Sequence, residues 1–158
     1  MIATADICDD HPDVQVTDPI FRDYGKTVTF SGAISTLALF EDNTLVREAL
    51  EQPGEGRVLV IDGGGSTRCA LVGDRLATLA KDNGWAGIVV YGCIRDSGII
   101  AGIDVGLKAM GTTPRKSVKR GEGQRDVPVT FAGVRFEPGA YLYADADGVV
   151  VASAPIEG

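Results

Sequence analysis

A chain of 158 residues, 44% hydrophobic and 23% charged, is the size of one compact domain, with enough apolar content to fill its core and too much for wholesale disorder. Its net charge of −7 argues against a nucleic-acid partner, because binding would have to overcome repulsion from the phosphates. No run approaches the roughly eighteen apolar residues of a membrane span, and the start of the chain carries Asp6, Asp9 and Asp10 without a basic residue, unlike a secretory signal, so a cytoplasmic protein is expected.

Thr4 to Asp10 reads as a short helix with Thr4 or Asp6 near its start. Lys26 to Phe40 alternates β-branched and small residues around Gly32, the pattern of one or two strands. Asp42 and Asn43 are good N-caps for a helix that carries Leu45, Val46, Ala49 and Leu50 on one face and ends at Pro53-Gly54. Arg57 to Ile61 is a buried strand entering the loop Asp62-Gly63-Gly64-Gly65, and Thr67 to Val72 is a second strand. Asp74 to Asn83 sets Leu76, Leu79 and Ala80 at helical spacing and stops at Gly84. Gly87 to Tyr91 is another buried strand, and Gly92 to Asp96 a turn that opens a short irregular or helical piece. Strands are expected again at Asp104 to Ala109, Val127 to Phe131 and Val134 to Phe136, the last two joined at Ala132-Gly133. Tyr141 to Ala144 and Val149 to Ala152 flank Asp145 to Gly148, a second hairpin. No repeat or linker interrupts the chain, which predicts one layered α/β domain over residues 1–158.

The informative spacing is Asp74, then twenty residues, then Arg95-Asp96. A helix of about ten residues carries the chain roughly 15 Å away, and a strand of five or six brings it back by roughly 17 to 20 Å. Arg95 and Asp96 should therefore lie beside the start of the Asp74 helix. The first-turn amides there, at Arg75 and Leu76, lack intrahelical acceptors and sit at the positive end of the helix dipole, ready for a substrate carboxylate. Arg95 can fork onto the same carboxylate or an adjacent oxo group, and Asp96 can bind a hard cation. His11 is the sole histidine, and Cys8, Cys69 and Cys93 share no ligand spacing, so a metal here must use oxygen ligands, which points to magnesium or manganese. Such a cation polarises a 2-oxo group and stabilises the enolate left when a C–C bond breaks. No lysine falls within this constellation, which favours a metal over a Schiff-base mechanism. From spacing alone, a helix cap at Asp74 and a surface ion pair at Arg95-Asp96 fit as well.

The stretch from Val58 through Asp62-Gly-Gly-Gly-Ser-Thr-Arg to Gly73-Asp74, continuing to Gly92-Cys-Ile-Arg-Asp96, resembles the RraA-like family. That family includes the 4-hydroxy-4-methyl-2-oxoglutarate aldolases and the regulator of ribonuclease E activity. Phe30-Ser-Gly-Ala-Ile-Ser-Thr, Asp104-Val-Gly-Leu-Lys-Ala, Pro114-Arg-Lys-Ser and Leu142-Tyr-Ala-Asp-Ala-Asp-Gly-Val-Val are similar too, so the resemblance covers almost the whole chain. It implies an α/β domain of mixed β-sheets with flanking helices, of the swivelling-domain type. It implies that Asp96 ligates the metal, that Arg95 binds the carboxylate and oxo group of pyruvate, and that Gly73, Asp74, Arg75 and Leu76 line the substrate pocket. Asp74 would orient a metal-held water that returns a proton to the pyruvate enolate. A homotrimer with sites between subunits is implied, open to pairing into hexamers. Regulators without aldolase activity typically lose the Asp of the Arg-Asp pair, so Asp96 favours the enzyme. Longer members take a catalytic acid from a C-terminal extension, which this chain is expected to lack.

Other signals carry less. Asp62 to Ser66 lacks both the third glycine of a dinucleotide fingerprint and the lysine of a P-loop, and reads as a tight turn near the site. Asp145 to Gly148 resembles the start of a calcium loop but has no following glutamate at the required distance, so it reads as a hairpin turn. Arg115, Lys116, Lys119 and Arg120 form a basic run in a loop, either solvated or able to attract dianionic substrates or a neighbouring subunit. His11 reads as exposed. The expected function is a metal-dependent aldolase that releases pyruvate from 4-hydroxy-4-methyl-2-oxoglutarate or a related 4-hydroxy-2-oxo diacid, with oxaloacetate decarboxylation alongside. The rival is an acidic protein-binding regulator of an endoribonuclease. A third family label, a menaquinone methyltransferase, finds no methyl-donor pattern around the glycine loop.

Overall fold

The computed structural model describes residues 1–157; Gly158, the last residue of the expected domain, lies outside them. The first half runs α1 (Thr4–Asp10), β1 (Gln15–Val16), β2 (Arg22–Asp23), β3 (Phe30–Ala38), α2 (Thr44–Leu50), β4 (Val58–Asp62), β5 (Ala70–Val72) and α3 (Asp74–Asp82). The second half runs β6 (Gly87–Ile94), α4 (Ser97–Ile100), β7 (Gly106–Thr112), β8 (Gln124–Arg125), β9 (Val129–Phe131), β10 (Val134–Phe136), β11 (Tyr141–Asp145) and β12 (Gly148–Ala152). The result is the mixed α/β architecture expected.

One large sheet takes the order β1-β12-β11-β3-β4-β6-β7-β2, with β5 added beside β6 and β8 beside β3. Its middle, β3-β4-β6-β7, is parallel, and antiparallel strands close both edges. Both faces are covered, and the strand sequences show it. On β4, Leu59 and Ile61 join one buried cluster with α2, α3 and α4, while Val58 and Val60 join another with the β9–β10 hairpin. Ile88 and Val90 of β6 face the helices and Val89 the hairpin, so these strands are apolar on both sides rather than alternating with polar residues. A third, smaller cluster seats α1 on β11 and β12 through Ile7, Tyr143 and Val150.

Phe30 shows why two strands here begin with glycine. Its ring lies across Gly87 and Gly106 on adjoining strands, where a Cβ would stand 2.4 and 2.2 Å from ring carbons. Lys108, buried on β7, pairs with Asp23 at 3.1 Å and donates to the Asp145 carbonyl at 2.8 Å, so its charge ties the edge strand β2 to β11.

The expected boundaries shift where pairing, not composition, decides them. β6 runs three residues past Tyr91, because Cys93 and Ile94 pair with β5 on one side and β7 on the other beyond a register irregularity after Val90. β5 is shorter than Thr67 to Val72, since Ser66 and Arg68 turn to bond Glu41 instead of a strand. β1, β2 and β8 are two-residue pairings without apolar alternation, and nothing in their sequence announces them. Among the described residues no helix is long and apolar enough to cross a membrane.

Candidate active site

The site forms where β6 ends against the start of α3, at the carboxyl end of the parallel strands, the usual place for ligands in such sheets. The Arg95 amide donates to the Val72 carbonyl at 3.0 Å, holding the exit of β6 beside the end of β5. Asp96 then adopts φ 59°, ψ 35°, a left-handed conformation that short polar residues tolerate best. Its carbonyl accepts from the Ile99 and Ile100 amides and opens α4. Its carboxylate turns the other way, and Oδ2 accepts from the Asp74 amide at 3.1 Å. Gly73, the N-cap of α3, has no side chain to give, so the helix receives its cap from across the site. A Cβ on Gly73 would stand 2.8 Å from Asp96 Oδ2, so only glycine allows this approach.

A cavity of about 570 Å³ opens here, and Gly73, Asp74, Arg75, Leu76, Arg95 and Asp96 all line it. Every residue expected at the site from the Asp74 to Arg95-Asp96 spacing is thus brought together. Leu76 is buried, Gly73, Asp74 and Arg95 are half-buried, and Arg75 and Asp96 are exposed to the opening. The bond from the Asp74 amide, aided by the Arg95 charge, holds the Asp96 carboxyl below its usual range, so it is anionic at neutral pH. The Asp74 side chain is near enough to act on that ionisation as well.

Two neighbouring carboxylates at a cavity wall favour a cation between them. Among the described residues no three His, Cys, Asp or Glu side chains cluster as a ligand set. With Asp96 Oδ2 committed to the helix amide, the protein can offer Asp96 Oδ1 and the adjacent Asp74. That donor set suits magnesium or manganese, hard ions content with one or two carboxylates and several waters, and does not suit zinc.

Six further residues line the cavity: Ala70 of β5, with Asn43, Arg47, Lys116, Ser117 and Lys119. Lys116 and Lys119 come from the basic run, whose use near the site was one of two readings; Arg115 faces a neighbouring cavity with Arg68 and Cys69. The expectation that no lysine reaches the constellation is corrected, because loop 113–123 folds back over α2. Both lysines are exposed, however, and lack the burial that activates a Schiff-base lysine. Arg47 was hidden on the polar face of α2. Asn43 was read as a helix cap only. It donates from Nδ2 to the Leu71 carbonyl (3.1 Å), and its amide to Ser117 Oγ (3.2 Å), while its buried Oδ1 has no partner among the described residues. Five cations against two carboxylates make the pocket cationic in a chain of charge −7.

The remaining signals resolve simply. Gly64 and Gly65 take φ +68° and +72° in a turn closed by Asp62 Oδ1 and packed under Phe40 and Tyr91. Asp145 and Gly148 close a hairpin, and the Asp145 carboxylate caps α1 through the Thr4 amide and hydroxyl at 2.9 and 2.7 Å. His11, expected to be exposed, is half-buried at the end of α1.

The chain matches the family model described as RraA-like: Aldolase/RraA over residues 4–151. It is 60% identical to the protein named "Putative 4-hydroxy-4-methyl-2-oxoglutarate aldolase" of Alkalilimnicola ehrlichii, across 96% of this chain and 94% of that one. A protein of the same name from Dechloromonas aromatica is 59% identical over 94% of each. Among solved structures, the RNA-processing inhibitor RraA from Thermus thermophilis superposes with a TM-score of 0.97 at 43% identity, covering 100% of this chain and 96% of that one. A Geobacillus kaustophilus protein described as an S-adenosylmethionine: 2-dimethylmenaquinone methyltransferase superposes at 0.94 with 55% identity, covering 98% and 97%. The fold, the motif that builds the pocket and these likenesses agree: the chain belongs to the RraA-like family.

Proposed function

We propose that this protein is a divalent-metal-dependent aldolase that cleaves 4-hydroxy-4-methyl-2-oxoglutarate, or a related 4-hydroxy-2-oxo diacid, to pyruvate, and that it decarboxylates oxaloacetate as a side reaction. The observation that carries this reading is the Asp96 carboxylate seated on the first amide of α3, with Asp74 and Arg95 beside it in one cationic cavity. A magnesium or manganese ion held at Asp96, with water completing most of its shell, would supply the Lewis acidity that polarises the 2-oxo group.

The side chains divide the substrate between them. The Arg95 guanidinium forks onto the carboxylate and oxo oxygen of the pyruvate half. The Arg75 and Leu76 amides, at the positive end of α3, hold the same carboxylate. Retro-aldol cleavage breaks C3–C4; the C4 hydroxyl loses its proton and becomes the carbonyl of the leaving fragment, and C3 of pyruvate takes up a proton. Asp74 would orient the water that delivers it. Asn43 Oδ1, buried and without a partner, is a ready acceptor for a substrate hydroxyl. Arg47, Lys116 and Lys119 suit the second carboxylate of a diacid, a charge that a monoacid pocket would not need.

The test is pyruvate release from 4-hydroxy-4-methyl-2-oxoglutarate with added magnesium or manganese, read through lactate dehydrogenase. Wild type should turn over, and Asp96→Ala should lose at least about a thousandfold, the scale of removing a principal transition-state contact. Turnover retained in Asp96→Ala overturns the assignment.

A protein-binding role beside the catalytic one is favoured by the likeness to the Thermus RNA-processing inhibitor and by the acidic charge of the chain. A stoichiometric, salt-sensitive complex with an endoribonuclease in a pull-down would support it, and a clean negative removes it. The methyltransferase label draws no support from the glycine turn, whose Gly64 and Gly65 pack against the Phe40 and Tyr91 rings and which carries no methyl-donor pattern.

A further inference from the structure

We infer that Asp42 is a positioning residue that anchors the basic segment 116–122 over the cavity, and thereby sets affinity for the distal carboxylate of a diacid substrate. The inference rests on the aldolase reading for its consequence, though not for the anchor itself.

Asp42 is 2% exposed, and a carboxylate so buried is costly unless its lone pairs are used. All of its partners lie in two places. Oδ1 accepts from the Thr44 amide at 2.9 Å and the Thr44 hydroxyl at 2.7 Å; Oδ2 accepts from the Arg120 amide at 2.8 Å and the Glu122 amide at 3.0 Å. The Gly121 amide in turn donates to Thr44 Oγ1 at 3.3 Å. Three successive amides of the basic segment are therefore held at the start of α2. Burial pushes the Asp42 carboxyl up, but these bonds prevail and hold it far below the usual range, so the anchor stays charged.

The neighbours of Asp42 extend the arrangement. Glu41 takes φ 57°, and its side chain reaches away to Ser66 Oγ at 2.5 Å and Arg68 Nε at 2.6 Å, while its carbonyl accepts from the Val118 amide at 3.1 Å. Asn43 bonds Leu71 and Ser117. Three consecutive residues thus tie the glycine turn, the basic segment and β5 to one point. Between Thr112 and Gln124 the chain has no helix or strand of its own: Lys116 is held by an isolated bridge to Ala70, whose amide donates to the Arg115 carbonyl at 2.7 Å, and beyond it these tethers fix the course of the segment through Lys119. The pyruvate half of a substrate meets other groups, Arg95, Asp96 and the first turn of α3, and none of them bonds Asp42.

Asp42→Asn keeps the shape and turns one oxygen into a donor, which then faces either the Arg120 and Glu122 amides or the amide and hydroxyl of Thr44. The experiment compares wild type, Asp42→Asn and Thr44→Val by three readouts: amide exchange across 113–123, KM for 4-hydroxy-4-methyl-2-oxoglutarate, and deuterium uptake at C3 of pyruvate in D2O with magnesium. The expected result is exchange at Arg120, Gly121 and Glu122 faster by about tenfold or more. KM for the diacid should rise by about tenfold, with pyruvate deuteration within about twofold of wild type. Thr44→Val should show the same pattern more weakly, and it carries all three readouts if Asp42→Asn does not fold. Unchanged amide exchange overturns the anchor. Loss of diacid cleavage and pyruvate deuteration together reduces Asp42 to a support of the fold and overturns the specificity role. A wild type with neither activity refutes the aldolase reading instead, and amide exchange then decides the anchor alone.

Discussion

Gly73→Ala isolates the contact on which the site geometry depends. Gly73 has φ −117°, ψ −170°, open to any residue, so the substitution adds no backbone strain and its whole cost is contact. The new Cβ would stand 2.8 Å from Asp96 Oδ2 and 3.6 Å from Arg95 Cγ. Carbon and oxygen settle near about 3.3 Å, so the carboxylate must retreat by roughly 0.5 Å. The bond from the Asp74 amide, already 3.1 Å, then passes beyond hydrogen-bond range. Losing an exposed cap on α3 costs about 0.5–1.5 kcal/mol, or a Tm lower by roughly 2–5 °C at this chain length. The catalytic cost is larger. If Asp96 holds the metal as proposed, displacing its carboxylate by half an ångström should lower kcat/KM by about 10- to 100-fold, or about 1.4–2.7 kcal/mol, while Arg95, in ordinary contact with the new methyl, stays in place. Pyruvate release at saturating metal, beside thermal melts, measures both. A variant within twofold of wild type in kcat/KM would refute the reasoning that Gly73 is required for the Asp96 position.

Arg95→Lys keeps the charge and loses the fork, so KM should rise by about 10- to 100-fold with the fold intact; an unchanged KM in steady-state kinetics removes Arg95 from substrate binding. Gly106→Ala drives a Cβ into the Phe30 ring and should lower stability by about 1–3 kcal/mol in urea melts, with part of the loss recovered in Gly106→Ala/Phe30→Leu. Burial pushes Asp145 up, but the bonds from the Thr4 amide and hydroxyl outweigh it and hold its carboxyl below the usual range. A depressed folded value means a contribution present above the ordinary carboxylate pKa and lost as pH falls through the folded one. Asp145→Asn should therefore be about 1–2 kcal/mol less stable at pH 7, with the gap from wild type closing below about pH 4; a constant gap across that range contradicts the capping role.

Where local pattern and tertiary structure agree, the sequence was readable. The helix–strand return from Asp74 to Asp96 could be worked out from rise per residue alone, and the two C-terminal hairpins from their turn residues. What stayed hidden depended on contacts across the chain. No local signal distinguishes Gly73 as the residue that admits the Asp96 carboxylate from the turn after β6. Asp42 looked like an ordinary helix cap, because its bonds to Arg120 and Glu122 span 78 and 80 residues. Arg47 lies on a helix face that reads as solvated until loop 113–123 is laid against it. The two-residue strands β1, β2 and β8 exist only because a neighbour offers its edge.

The most direct test of the central claim is pyruvate release from oxaloacetate, corrected for spontaneous decarboxylation, with magnesium or manganese and then with EDTA. Turnover that appears with metal and vanishes with chelator is the predicted result, and it would establish enolate chemistry at this site. A folded protein without turnover in either metal would contradict the account and leave the protein-binding role as the better reading.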